Sequence, residues 1–185
     1  MNTLVSDLND LSKIEAGRLR LEFKASPSSA VVDDAVRSLR RQVDEKGQKL
    51  VLAFPADLPP VWADRMRVSQ VVINLISNAH KYTSQAGQIT VGAEACQNRW
   101  DESGPQQVLH LWVQDTGIGI SPEDQKKIFQ KFFRADDPKT REVAGTGLGL
   151  NITKALVEMQ GGKIWFESVF RQGTTFHITL PVAEQ

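Results

Sequence analysis

The spacing of apolar residues changes along this chain, and that change limits what it can fold into. Leu4, Leu8 and Leu11, with Val5 and Ile14, recur at three and four residues, the period of a helix with one apolar stripe. Val32, Val36, Leu39 and Val43 repeat the pattern, as do Val68, Val71, Val72, Leu75, Ile76 and Ala79. Elsewhere the period drops towards two: Glu22–Ser26, Lys49–Phe54, Gln88–Ala95, Gln107–Asp115, Lys163–Ser168 and Thr174–Pro181 read as strands. A last helical stretch, Leu148–Met159, precedes the closing pair of strands. Helices and strands in this order predict an α+β layer of about five strands with three helices packed on one face, preceded by one amphipathic helix.

The punctuation agrees with the periods. Ser28 or Ser29 is placed to cap the second helix and Gly47 to end it. Asp64 caps the helix from Arg65 to about Tyr82, and Ser121-Pro122-Glu123-Asp124 opens a short one. Gly17 stops the first helix, and Gly161-Gly162 the last. Two stretches read as mobile loops: the polar Gln97–Pro105 and the charged, apolar-poor run from Arg134 to Thr146.

Composition narrows the function classes. The 185 residues hold 22 basic and 22 acidic side chains, so there is no basic excess for nucleic acid. One cysteine, Cys96, excludes an internal disulfide and a multi-thiolate zinc site. No apolar run approaches a membrane span, and the chain reads as a cytoplasmic domain without a membrane segment or signal peptide. The first helix, with a single stripe, reads as the tail of a longer helix or half of a helix pair.

Three clusters could carry chemistry. Asn74 and Asn78 stand four apart on the third helix, with Lys81 and Tyr82 a turn on, so the amides and the lysine share a face roughly opposite the apolar stripe. Alone they could equally decorate a solvated surface. Asp115-Thr116-Gly117-Ile118-Gly119-Ile120 leaves a strand with an acid and two glycines, which suits close approach of a ligand, or an Asx turn. Gly145-Thr146-Gly147-Leu148-Gly149-Leu150 opens a helix whose N-terminus favours phosphate. A charged loop, and not a strand, precedes these glycines, so a dinucleotide fold is excluded.

Taken in order, these motifs resemble the nucleotide-binding catalytic domain of sensor histidine kinases, in the wider GHKL (Bergerat-fold) group of ATPases, which implies an α+β two-layer sandwich with a mixed, mostly antiparallel five-stranded sheet and three helices on one face. Asn74–Thr83 resembles the N box of that family. Asp115–Ile120 resembles its first glycine box, Phe129-Gln130-Lys131-Phe132-Phe133-Arg134 its F box, and Gly145–Leu150 its second glycine box. Gly173-Thr174-Thr175-Phe176 ahead of Leu180-Pro181 is similar to its closing hairpin. The likeness covers Glu22 to Val182. Leu8–Gly17 resembles the end of the second dimerisation and phosphoacceptor helix, dividing the chain into 1–20 and a catalytic domain, 21–185.

The resemblance implies ATP and Mg²⁺ as ligands. It implies nucleotide contacts from Asn78, Lys81, Tyr82, Asp115, Gly117, Ile118, Gly119, Phe133, Gly145, Thr146, Gly147, Leu148, Gly149 and Thr175, with Asp115 on the adenine amino group. Asn78 would hold the metal, Asn74 and Lys81 would assist transfer, and Arg134 would either meet the γ-phosphate or lie on the lid surface. His80, His110 and His177 lack the context of a phosphoacceptor, so the acceptor histidine is expected on another domain of the same or a partner kinase chain, with a response regulator receiver domain downstream. The chain alone is therefore not expected to autophosphorylate. Where hydrolysing relatives place a glutamate this chain has Asn74, an amide that cannot serve as general base, and negligible ATP hydrolysis is expected. Leu4, Leu8 and Leu11 are expected to make a weak homodimer. A nucleotide-sensing scaffold and a GHKL hydrolase remain the alternative readings.

Overall fold

A computed structural model describes residues 3–184, without the side chains of Lys139 and Arg141. The elements run α1 (Thr3–Glu15), β1 (Lys24–Ser26), α2 (Ser28–Glu45), β2 (Lys49–Ala53), β3 (Val61–Ala63), α3 (Arg65–Tyr82), β4 (Gln88–Gln97), β5 (Gln107–Asp115), α4 (Pro122–Gln125), α5 (Pro138–Arg141), α6 (Gly149–Met159), β6 (Ile164–Val169) and β7 (Gly173–Pro181). The main sheet has the order β2-β4-β5-β7-β6. β2 runs parallel to β4 and the other pairs are antiparallel, the mixed, mostly antiparallel sheet that the resemblance implies.

The helices α2, α3 and α6 supply the apolar layer over this sheet. Val32, Val43, Leu75, Ile76 and Leu156 are fully buried with Ile89, Leu109, Leu111, Ile178 and Leu180 from the strands. Asp64 caps α3 by accepting from the Arg67 N–H at 3.2 Å, and its second oxygen accepts from the Glu22 N–H at 3.0 Å. The cap therefore also ties the chain ahead of β1 to α3.

Several local expectations change. Ser28 is not the cap of α2; Pro27 holds that position, and the Ser28 hydroxyl donates to the Pro59 carbonyl instead. β3, a strand of three residues between Pro60 and Asp64, pairs with β1 in a separate two-stranded sheet. The 98–106 loop is structured: the Asn98 side chain accepts from the Trp100 and Asp101 N–H groups, and Trp100 lies over His110 and Trp165, with centroids 4.5 and 4.9 Å apart. Trp100 thereby covers the sheet face away from the helices, where His110 meets His177 at 3.0 Å.

The helix α1 is docked and not free. Leu11 is buried, and Asp10 forms a largely buried ion pair with Arg67 of α3 at 3.1 Å, shared with Gln70 at 2.8 Å. Asp7 accepts from the Thr146 hydroxyl at 2.7 Å, and Glu15 pairs with Lys131. Leu4, Val5 and Leu8 remain 40, 59 and 42% exposed.

Candidate functional site

A cavity of about 440 Å³ opens between the end of α3, the 116–121 loop after β5, the 133–140 segment and the β6–β7 hairpin. Its polar floor is Asp115, the last residue of β5, which is 8% exposed. Burial pushes the Asp115 carboxyl up to about 6, opposed by hydrogen bonds from the Gly117 N–H (2.8 Å) and the Thr174 N–H. A carboxylate held at the end of an apolar strand is costly, and its retention at a cavity floor marks a binding function.

The loop after Asp115 is fitted between two elements. A Cβ at Gly117 would lie 2.5 Å from the Tyr82 carbonyl oxygen, and Ile118 N–H donates to that oxygen at 3.2 Å. Gly119, at φ +66°, passes so close to β6 that a Cβ would lie 2.2 Å from the Val169 carbonyl oxygen. Both glycines thus seat the loop against protein backbone, and only Gly119 also lines the cavity.

Seven of the residues singled out from the sequence meet at this cavity: Asn78, Tyr82, Asp115, Ile118, Gly119, Phe133 and Arg134. The Arg134 guanidinium donates to the Val143 carbonyl and its charge opposes the effect of burial, which raises the Tyr82 phenol. The Asn78 side chain makes no hydrogen bond to another described residue, so its amide oxygen is open to a hard cation. Among the described residues no cluster of three His, Cys, Asp or Glu side chains could hold a metal by itself. A cation here would share its ligands between Asn78 and the oxygens of a bound anion.

The other candidates stand outside the cavity. Asn74 faces α6 and not a solvated surface: its amide nitrogen donates to the Thr153 hydroxyl at 2.8 Å, and a Cβ at Gly149 would lie 2.6 Å from its oxygen. Asn74 is thus a packing bridge between α3 and α6. Lys81, Gly117, Gly145, Thr146, Gly147, Leu148 and Gly149 are not part of the lining, although Leu150, in the first turn of α6, is. Thr146 instead donates to Asp7 and accepts from the Leu148 N–H at 3.2 Å. Thr175 is displaced from its expected place: β7 turns Thr174 and Phe176 towards the cavity and Thr175 to the opposite face of the sheet.

Sequence reasoning misses Thr174, Ile128, Phe170 and Phe176 as lining residues, and it reads the run from Arg134 to Thr146 as a mobile loop. In the structure, α5 lies within this segment and Thr140 is buried, its hydroxyl bonded to the Ala135 and Asp137 carbonyls at 2.8 and 2.9 Å. The segment forms one wall of the cavity through Ala135, Pro138 and Thr140. The three histidines play structural parts. Gln48 holds His80 at 2.7 Å, and His110 bridges Glu94 and His177.

Residues 63–184 match the family model "Histidine kinase-, DNA gyrase B-, and HSP90-like ATPase". Over 97% of its length the chain is 41% identical to the "Non-motile and phage-resistance protein" and 39% identical to "Histidine protein kinase DivJ", both of Caulobacter vibrioides. It spans 20% and 28% of the lengths of those relatives. Full-length ShkA, solved in complex with AMPPNP, superposes with a TM-score of 0.83 at 27% identity, over 99% of this chain and 36% of that one. No helix among the described residues is long and apolar enough to cross a membrane. The chain belongs to the family of histidine kinase-, DNA gyrase B- and HSP90-like ATPases, in the form of the ATP-binding catalytic domain of sensor histidine kinases.

Proposed function

We propose that this chain is the phosphoryl-donating module of a two-component sensor kinase in the cytoplasm. It would pass the γ-phosphoryl group of Mg²⁺-bound ATP to a histidine on a separate phosphoacceptor domain, which then serves a response regulator. The observation that carries this reading is Asp115, a buried carboxylate at the floor of a cavity lined by apolar side chains such as Ile118, Ile120, Ile128 and Phe133, with polar groups including Asn78 and Arg134. Such a floor suits a flat base with an exocyclic amino group.

In this reading Asp115 accepts a hydrogen from the adenine amino group. Ile118, Phe133 and Tyr82 border the base, and Gly119 keeps the wall thin. Asn78 would offer its amide oxygen to Mg²⁺, which when bound would neutralise charge on the phosphates. Arg134 and Leu150, in the N-terminal turn of α6, line the cavity; in this reading Arg134 would meet the transferred group and the start of α6 would face the phosphates. Lys81 and the glycines of 145–149 would join only if the 135–148 segment rearranges around nucleotide. Asn74, with its amide committed to Thr153, supplies support and no general base.

Transfer to a separately supplied phosphoacceptor domain tests the assignment. Labelled phosphohistidine should form with the wild-type chain and be lost in Asn78→Ala and Asp115→Ala, while ATP alone yields negligible free phosphate. Brisk Mg²⁺-dependent phosphate release would instead favour a hydrolase, and binding without transfer a scaffold. The exposed Leu4, Val5 and Leu8 support a weak dimer through α1. Sedimentation that shows only monomer at high concentration would oppose it.

A further inference from the structure

The hydroxyl of Ser168, on β6, lies within hydrogen-bonding distance of three groups: Ile120 N at 2.8 Å, the Gly173 carbonyl oxygen at 3.1 Å and Thr174 Oγ1 at 2.8 Å. A hydroxyl has one proton and two lone pairs. The Ile120 amide can only donate and the Gly173 carbonyl can only accept. Ser168 therefore accepts from Ile120, gives its proton to Gly173, and has one lone pair left. All three contacts are satisfied only if that lone pair takes the proton of Thr174. The reverse arrangement, Ser168 donating to Thr174, leaves the Gly173 carbonyl without the serine proton.

This assignment has a consequence in the cavity. Thr174 is 6% exposed, lines the cavity, and stands opposite Asp115 in the β5–β7 register. With its proton turned to Ser168, its hydroxyl offers the cavity lone pairs alone. Asp115, when ionised, also offers only acceptors. The frame around them is stiff: Arg171 N–H donates to the Ile118 carbonyl at 2.6 Å, and the Gln125 amide bonds both the Ile120 and Ser168 carbonyls.

We propose that Ser168 is a positioning residue that fixes the Thr174 hydroxyl as an acceptor, so that the cavity floor takes a purine carrying an amino group and refuses one carrying a carbonyl there. The inference rests on the reading of this cavity as the base site. It assigns base discrimination to a side chain that does not itself line the cavity.

Equilibrium titration of the full chain with ATP and with inosine triphosphate, at a pH where Asp115 is ionised, tests it. Inosine triphosphate carries a carbonyl where ATP carries the amino group. Ser168→Ala frees the Thr174 proton to turn into the cavity and meet that carbonyl. The preference for ATP should then fall about tenfold, more than ATP affinity itself falls. Ser168→Thr, which keeps a hydroxyl, should restore the preference. Thr174→Val removes one of the two acceptors at the floor, leaving Asp115, and should lower the preference even if the Ser168→Ala chain does not fold. Equal weakening of both nucleotides by Ser168→Ala would make Ser168 a structural residue and overturn the inference. So would an unchanged preference in Thr174→Val. A wild-type chain that binds neither nucleotide would overturn the base-site reading itself, and the inference with it.

Discussion

The Asp115 carboxylate should cost the ligand-free protein stability at neutral pH. Its folded value of about 6 stands above the ordinary 3.8 because burial outweighs the two backbone N–H bonds it receives. The folded state therefore binds the proton more tightly than the unfolded chain. This group contributes its full share below the unfolded value, and that share is lost as pH rises towards 6. A shift of roughly two units corresponds to about 3 kcal/mol between the acid and alkaline limits. By about pH 5 roughly half of this has gone, leaving a difference of about 1.4 kcal/mol between pH 5 and pH 8. Asp115→Asn keeps an oxygen for the Gly117 N–H and carries no charge at any pH. Its stability relative to the wild-type chain should improve by that amount from pH 5 to pH 8.

Urea unfolding of both chains at the two pH values, without nucleotide, measures this. Comparing the two chains cancels His80, His110 and His177, whose values are lowered by burial and whose protonation destabilises the protein as pH falls. Saturating ATP should reverse the order at pH 8, because only the wild-type chain gains from binding. A difference between the chains that does not change with pH would refute the reasoning. It would mean that the Gly117 and Thr174 N–H groups offset burial in full.

Gly119→Ala should cost about 2–4 kcal/mol in chemical unfolding and abolish ATP binding, because a Cβ would meet the Val169 carbonyl at 2.2 Å with φ at +66°. A chain that unfolds at the wild-type urea midpoint would show that the loop can yield. Trp100→Ala should lower stability by about 1–2 kcal/mol while ATP affinity stays the same, since Trp100 covers the face of the sheet away from the cavity. Arg67→Ala leaves the Asp10 carboxylate buried without its cation and should loosen α1 by about 2–3 kcal/mol. Faster amide exchange across 3–15, with exchange in α6 unchanged, is the expected pattern.

The helices and the main sheet were legible because their signals are repeated over many residues. The stripe from Val68 to Ala79 and the alternation from Gln107 to Asp115 each test one period several times, and the Asp64 and Ser121 caps fix where helices start. β3 has only three residues, Val61-Trp62-Ala63, too few to show a period between a proline and a cap. Trp100 looked like a loop residue because its partners, His110 and Trp165, are brought together only by the β5–β7–β6 pairing.

The candidate site was legible in its chemistry and less so in its orientation. Asn74 and Asn78 share a face by spacing, but the face is divided: α6 packs on the Asn74 end, and the Asn78 end borders the cavity. No spacing rule on α3 alone can report where a second helix crosses it. Thr174 and Thr175 show the same limit at its smallest. They are adjacent and chemically identical, and a strand sends neighbours to opposite faces. The sequence specifies which one faces the helices only through the buried Phe176 and Ile178, whose alternation continues to Thr174. Counting back from those apolar residues, and not from the motif, places the right hydroxyl beside Asp115. The same count puts Ser168 next to it, paired in register with Thr174. The acceptor-only floor of the cavity is therefore built by strand register as much as by residue type.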